Sequence, residues 1–267
     1  MTLSYFHSLH YYLIHIQYLG FRFRGWAKQP GIKTVHHMID RSINYVLGGE
    51  QKFKTLGTSR TDAMVSANHT VFELFMDKPI EEEQFLSTLN ENLPSDIRAI
   101  SIAETTADFN VIQHPKTKEY LYLFAFGEKY HPFAASMMAL FPFDLDIALM
   151  KKGALLFEGT HNFKKFCYKP SEHTSNFERH IDKSYITENT LYTANFFPEH
   201  SFAFHVHGKG FMRYQIRLMM GQLIRLGRGE CSLQELKEAI EQPQGTYFSY
   251  AAPASGLILH KINFDED

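Results

Sequence analysis

At 267 residues, 44% of them hydrophobic and 21% charged, the sequence has the make-up of one large globular domain or two smaller ones. That excludes a disordered or fibrous chain. No stretch approaches the roughly 18 consecutive apolar residues of a membrane helix, so no membrane partner is expected. Residues Met1–His7 show no basic segment leading into an apolar one, and Cys167 and Cys231 lack metal-ligand spacing, so a cytoplasmic location is the expectation. The net charge of −2 is unevenly spread: residues 201–229 carry Lys209, Arg213, Arg217, Arg225 and Arg228 with no acid. Residues 22–41 carry Arg22, Arg24, Lys28, Lys33 and Arg41 against Asp40 alone. Either cluster by itself reads as a solvated face. Two such clusters in a neutral chain suit a cationic surface that meets phosphates.

In chain order, Tyr12, Ile14, Ile16 and Tyr18 alternate with His15 and Gln17, which predicts a half-buried strand. Val35, Met38, Ile39, Ile43, Val46 and Leu47 share one face of a helix over 34–47, opened by Thr34 and closed by Gly48-Gly49. A strand is expected near 52–56, a turn over 58–62, a strand over 70–75, a helix over 81–91 and a strand over 97–104. The second half predicts a central strand over 120–126, a helix over 144–157 stopped by Gly159, a strand over 201–207 and a long helix over 211–226. Ser232 with Glu235 forms a capping box for a short last helix at 232–241. Strands and helices mix without a βαβ rhythm, which predicts an α+β fold with a largely antiparallel sheet. The weakest join lies near 105–110, giving an N-terminal half of 1–107 and a C-terminal half of 108–267.

Gly57-Thr-Ser-Arg-Thr-Asp-Ala-Met-Val-Ser-Ala67 places Arg60 and Asp62 in a turn between two strands. On that pair alone, a structural turn with a surface salt bridge is the simpler reading. Tyr120 shares a strand face with Tyr122, Phe124 and Phe126, so the pattern by itself reads as a core tyrosine. Arg213 and Arg217 stand on one helical face, with Gly221 a turn further on. Ile216, Met219 and Met220 suggest a covered helix in which Arg217 is paired. His36-His37, His205-x-His207 and the set His161, His173 and His180 have no metal-site spacing and read as surface or phosphate-facing residues. Gly208-Lys-Gly210 lacks a third glycine and reads as a hairpin turn.

Several motifs in order resemble the tRNA pseudouridine synthase A family. Arg60-Thr61-Asp62-Ala63, with Val65 and Ala67, is similar to its GRTDAGVHA loop. Tyr18-Leu-Gly-Phe-Arg-Phe-Arg-Gly-Trp26 resembles its YDGxxYxGW opening, and Leu89-Asn-Glu-Asn-Leu-Pro-Ser-Asp-Ile97 its NxxLPxDI segment. Lys118-Glu-Tyr-Leu-Tyr122 stands at its YxY strand, and Gly159-Thr-His-Asn-Phe163 with Phe166 at GxHDFxxF. Phe211 to Gly221 resembles its xxMVRxxVG helix and Gly256-Leu-Ile-Leu259 its closing GLxL. Departures are Ser59, Met64 and Ser66 in the loop, where the family has glycine, glycine and histidine, and Ile112, where it has arginine.

The resemblance implies an α+β pseudouridine synthase fold, with two similar halves whose antiparallel sheets join across a central cleft. It implies conversion of uridine to pseudouridine in the anticodon stem-loop of tRNA by a homodimer, with no cofactor. Asp62 would be the nucleophile, Arg217 its ionic partner, Tyr120 the ring on the target base and a candidate for C5 proton removal, and Arg60 a group that holds the base flipped out. Lys209 and Arg213 are expected to bind RNA phosphates. The chemistry suits these types. A glycosidic bond is broken and remade without redox change, which calls for a positioned carboxylate kept ionised by a neighbouring guanidinium, and for an extruded base. Two rival readings remain open: a tRNA-binding or folding protein that has lost catalysis, motivated by Met64 and Ile112, and a histidine-rich metal-dependent hydrolase.

Overall fold

The computed structural model describes residues 9–170, 176–242 and 244–264, so His173 and the Met1–His7 segment lie outside the described residues. The chain forms two compact units. The first runs to Lys116 and takes the chain back from Leu259, and the second holds Thr117–Ile258.

In the first unit, β1 (His10–Tyr18) is followed by α1 (Val35–Val46), β2 (Phe53–Gly57), β3 (Ser66–Met76), α2 (Glu82–Asn92) and β4 (Ile97–Thr105). β1 lies antiparallel between β3 and β4, and β2 pairs with the second half of β3. The alternation read in β1 is what buries Tyr12, Ile14, Ile16 and Tyr18. Thr34 caps α1 by accepting from the amide of His37, and left-handed Gly48 and Gly49 close it, as expected. Polar side chains tie the layers together. Ser42 donates to the carbonyl of Asn92 at the end of α2, and the Asn90 amide group exchanges two hydrogen bonds with Ala99 on β4.

The second unit contains β5 (Thr117–Phe126), β6 (Ala139–Phe141), α3 (Ile147–Leu155), β7 (Gly159–Asn162), β8 (Glu178–Ile181), β9 (Lys183–Glu188), β10 (Phe202–Gly208), α4 (Gln215–Gly227) and α5 (Leu233–Glu241). β10 lies antiparallel between β5 and β9, β6 pairs parallel with β5, and β7 and β8 form a separate two-stranded ribbon. β5 is buried on both faces over most of its length, as a central strand should be. α3 packs on α4 through glycines. A Cβ at Gly153 would lie 2.4 Å from Leu226, and one at Gly227 would lie 2.6 Å from the Met150 sulfur. Ser232 and Glu235 make the full capping box at the start of α5.

The last strand, β11 (Leu257–Asn263), gives Leu257 and Ile258 to the second unit and the rest to the first, where Asn68 at the start of β3 donates to the carbonyl of His260. The mixture of helices and mainly antiparallel strands is the α+β class expected. Short strands β6 to β9 were not legible, because their few residues alternate too little to give a period.

Two local readings need correction. Gly208-Lys-Gly210 is no hairpin turn: it leads from β10 into α4, and the helix begins at Gln215 rather than 211. The histidines are not all surface groups. His205 is buried, stacked on Tyr185 at 4.5 Å and bonded to Thr187, while His36 is half-buried against Trp26 with its Nε2 2.6 Å from the Thr55 hydroxyl. Imidazole's flat apolar faces explain this, since spacing alone cannot show that a ring will be stacked.

Candidate active site

The segment carrying Asp62 is a short loop between β2 and β3, fixed from both sides by the end of β1 and the chain that follows it. The Tyr18 hydroxyl lies 2.8 Å from the Thr61 hydroxyl, and burial raises its pKa, so it stays a neutral hydrogen-bonding group. The Trp26 amide donates to the carbonyl of Thr61 at 3.1 Å, and the Met64 amide donates to the carbonyl of Phe23 at 3.0 Å. On the far side of Asp62, its own carbonyl accepts from Val65, and Ser66 accepts from the amide of Gly20. Gly25 permits this approach: its φ is +92°, and a Cβ there would lie 2.8 Å from the Thr61 carbonyl oxygen. Gly57 does the same for Trp26, whose ring a Cβ would meet at 2.4 Å.

Within this frame Asp62 is half-buried and Arg60, two residues earlier, is exposed. Met64 has a φ of +67°, so it takes the left-handed conformation open to the glycine expected there. The departure at 64 therefore puts a side chain on a backbone conformation that glycine adopts readily. Ile112, the other notable departure, is 53% exposed on a turn in which Asn110 accepts from its amide. The hydroxyl of Ser59 is buried without a hydrogen-bond partner among the described residues.

The remaining expected site residues belong to the second unit and gather where β10 enters α4. Tyr120 on β5 is buried opposite Val206, and its ring meets that of Phe211 edge-on at 5.3 Å. Lys118 shares its strand face two residues earlier, and burial lowers the pKa of its ammonium. Tyr122, the next residue on that face, is fully buried and donates to the carbonyl of Pro253 at 2.8 Å. Lys209 and Arg213 are exposed along the connection.

Arg217 is held more closely. All of α4 is buried except Arg217 and Arg225. The Arg217 Nε donates to the carbonyl of Ala252 at 2.8 Å, and the Ala252 amide donates back to the Arg217 carbonyl at 2.9 Å. Its guanidinium carbon lies 4.4 Å from the centre of the Tyr214 ring. Tyr214 is in turn stacked on Tyr168 at 4.6 Å, and Arg213 lies over both rings. The sequence reading missed Tyr168 and Tyr214; an aromatic residue beside the helix arginine was the one signal available.

A second cationic feature lies in the first unit. A cavity of about 760 Å³ is lined by Lys28, Lys33, His37 and Arg41 together with apolar groups such as Ile32 and Met38. Lys28 is paired with Asp40, and Lys33 lies over the Phe23 ring. Among the described residues, no three His, Cys, Asp or Glu side chains stand together to hold a metal ion, and no helix is long and apolar enough to cross a membrane.

A family profile described as tRNA pseudouridine synthase matches residues 154–265. A protein of Bacillus cereus named tRNA pseudouridine synthase A 2 is 30% identical over 258 residues, covering 96% of this chain and all of its own length (100%). A tRNA pseudouridine synthase A of Pseudothermotoga lettingae is 28% identical over 93% of this chain and 97% of its own, and one of Exiguobacterium sibiricum is 29% identical over 94% and 95%. The chain belongs to the tRNA pseudouridine synthase A family of isomerases.

Proposed function

We propose that this chain isomerises uridine to pseudouridine in the anticodon stem-loop of tRNA, with Asp62 as the nucleophilic carboxylate. The observation that carries the reading is the loop holding Asp62. Hydrogen bonds fix both of its ends, and Gly25 is shaped to admit it, inside a chain of this family. A carboxylate that attacks a sugar carbon must be placed before the reaction, and such a loop supplies the placement. In this reading the Asp62 carboxylate bonds to C1′ as the N1–C1′ bond breaks, and the uracil rotates. C5 then bonds to C1′ as the carboxylate leaves, and C5 gives up its proton to a base while N1 takes one from solvent, leaving the oxidation state unchanged. Arg217 would keep Asp62 ionised, Tyr120 would stack on the uracil and accept or relay the C5 proton, and Arg60 would hold the flipped nucleotide. Lys209 and Arg213 would meet RNA phosphates, as would the cavity lined by Lys33 and Arg41. The enzyme would act in the cytoplasm as a homodimer.

The rival reading as a non-catalytic RNA-binding protein has less support, since Met64 holds a left-handed backbone open to glycine, Ile112 faces solvent, and the relatives matched over most of the chain are named as synthases. Mapping pseudouridine in tRNA from cells with and without the protein tests the proposal. Loss of modified uridines in the anticodon stem-loop on deletion is expected; an unchanged map would contradict it.

A further inference from the structure

Two of the three non-glycine residues with positive φ among the described residues, Lys169 at 44° and Tyr214 at 63°, stand at one place in the second unit. Tyr214 is the residue that opens α4, with ψ near 6°, and its side chain makes no cap hydrogen bond. The helices that start at Thr34 and Ser232 behave otherwise. Both cap residues are extended, and their hydroxyls accept from the amides of His37 and Glu235. Tyr214 forgoes a cap and adopts a conformation that a side chain with a Cβ disfavours. What it gains is a ring lying 4.4 Å from the Arg217 guanidinium carbon, one helical turn further on.

The ring is itself fixed. Tyr168 stacks on it at 4.6 Å with the planes 15° apart, and the Tyr168 amide donates to the carbonyl of Arg213 at 3.1 Å. The ammonium of left-handed Lys169 lies 5.3 Å from the centre of the Tyr168 ring. Cation, ring, ring and guanidinium thus form one ladder. Its last member is also gripped by the Ala252 carbonyl. Strained backbone that persists at two points around one side chain indicates that the arrangement is set by what it holds.

We infer that Tyr214, backed by Tyr168, is a positioning residue that fixes the orientation of the Arg217 guanidinium for the chemical step. The inference rests on the role proposed above for Arg217. A planar guanidinium with one nitrogen on a carbonyl can still swing about that bond; a ring against its face removes the swing.

The test compares Tyr214→Gly, Tyr214→Phe and Tyr168→Leu with wild type, and uses Arg217→Lys as a control. Each protein is assayed for single-turnover pseudouridine formation, tRNA Kd and thermal midpoint. Tyr214→Gly removes the ring while relieving the backbone, so folding should be retained. Its single-turnover rate is expected to fall about 10–100-fold with Kd changed by no more than about threefold, the scale of loss that misplacing a reacting group produces. Tyr214→Phe should keep the wild-type rate, and Tyr168→Leu should fall between the two. A wild-type rate in Tyr214→Gly, or equal losses in the Gly and Phe variants, would overturn the inference. If Arg217→Lys keeps the wild-type rate, the role proposed for Arg217 fails, and a Tyr214 effect would then have to lie elsewhere. A loss in Arg217→Lys with none in Tyr214→Gly removes the positioning role alone.

Discussion

Gly221 and Tyr250 approach so closely that a Cβ on the glycine would lie 2.2 Å from the Tyr250 carbonyl oxygen. Gly221 sits one turn beyond Arg217 on α4, and two residues after Tyr250 comes Ala252, the backbone partner of Arg217. The missing side chain lets that segment lie against the helix and hold the guanidinium. Gly221→Ala should push the segment away, costing about 1–3 kcal/mol of stability as overpacked sites do. It should also lower the rate of the chemical step more than Gly153→Ala, whose clash is with flexible leucine ends. Thermal melts and single-turnover rates for the two variants check this. Equal losses of rate would detach Ala252 from the function.

Met64 holds a left-handed backbone at φ +67°, which costs a side-chain-bearing residue about 1–2 kcal/mol, while glycine there would lose about 0.4–1 kcal/mol more entropy on folding. Met64→Gly should therefore stabilise the protein by about 0.5–1 kcal/mol, read as a shift in urea midpoint. The choice of uridines is proposed to depend on the Met64 side chain and on Ile112. Pseudouridine maps of one tRNA pool treated with wild type or the Met64→Gly, Ile112→Arg double variant should differ. Identical maps would show that these positions do not set specificity.

His15 and His69 form a stacked, hydrogen-bonded pair, Nδ1 to Nε2 at 2.8 Å, and the Ile262 amide donates to His69 Nδ1. Burial, then the neighbouring positive groups, lower the His69 pKa from 6.5 to about 4, and burial lowers that of His15 as well. Unfolded histidine thus binds protons at a higher pH than the folded pair. Stability is complete above about pH 6.5 and falls as pH drops towards 4. Burial raises the pKa of Glu73, which opposes this trend, so the comparison with a variant isolates the histidines. His69→Gln, which can still accept from Ile262, should flatten the dependence between pH 6.5 and 4 in denaturant titrations. An unaltered slope would show that His69 does not titrate with folding.

The sequence made some of this legible and not the rest, for physical reasons. Thr34, Gly48 and the Ser232–Glu235 box mark their helices because capping is local chemistry between residues three apart. The Arg60-Thr61-Asp62 loop was legible as a motif, but its bracing by Tyr18, Gly25 and Trp26 depends on contacts distant in sequence. The start of α4 was misplaced because hydrophobic periodicity runs through 211–214, where the chain is irregular and Tyr214 is left-handed. Nothing local announces that a tyrosine will take that conformation. Its reason lies in Tyr168 and Arg217, which only the folded second unit brings to it.

Lys209 and Arg41 are exposed cations in different units, and neither makes an ion pair among the described residues. Each is expected to touch RNA phosphate. Lys209→Ala and Arg41→Ala should each make the negative slope of log K against log salt for tRNA shallower by about 0.7–0.9. Filter binding over a range of potassium chloride measures it. A slope equal to wild type would remove that side chain from the RNA surface.

The assignment of Asp62 is tested most directly by tritium release from C5-labelled uridine in tRNA, comparing wild type with Asp62→Asn. The amide is nearly isosteric with the carboxylate but cannot act as the nucleophile. Wild type should release tritium, and the Asn variant should release none while binding tRNA within a few-fold of wild type. Tritium release by Asp62→Asn at a rate near that of wild type would contradict the role given to Asp62.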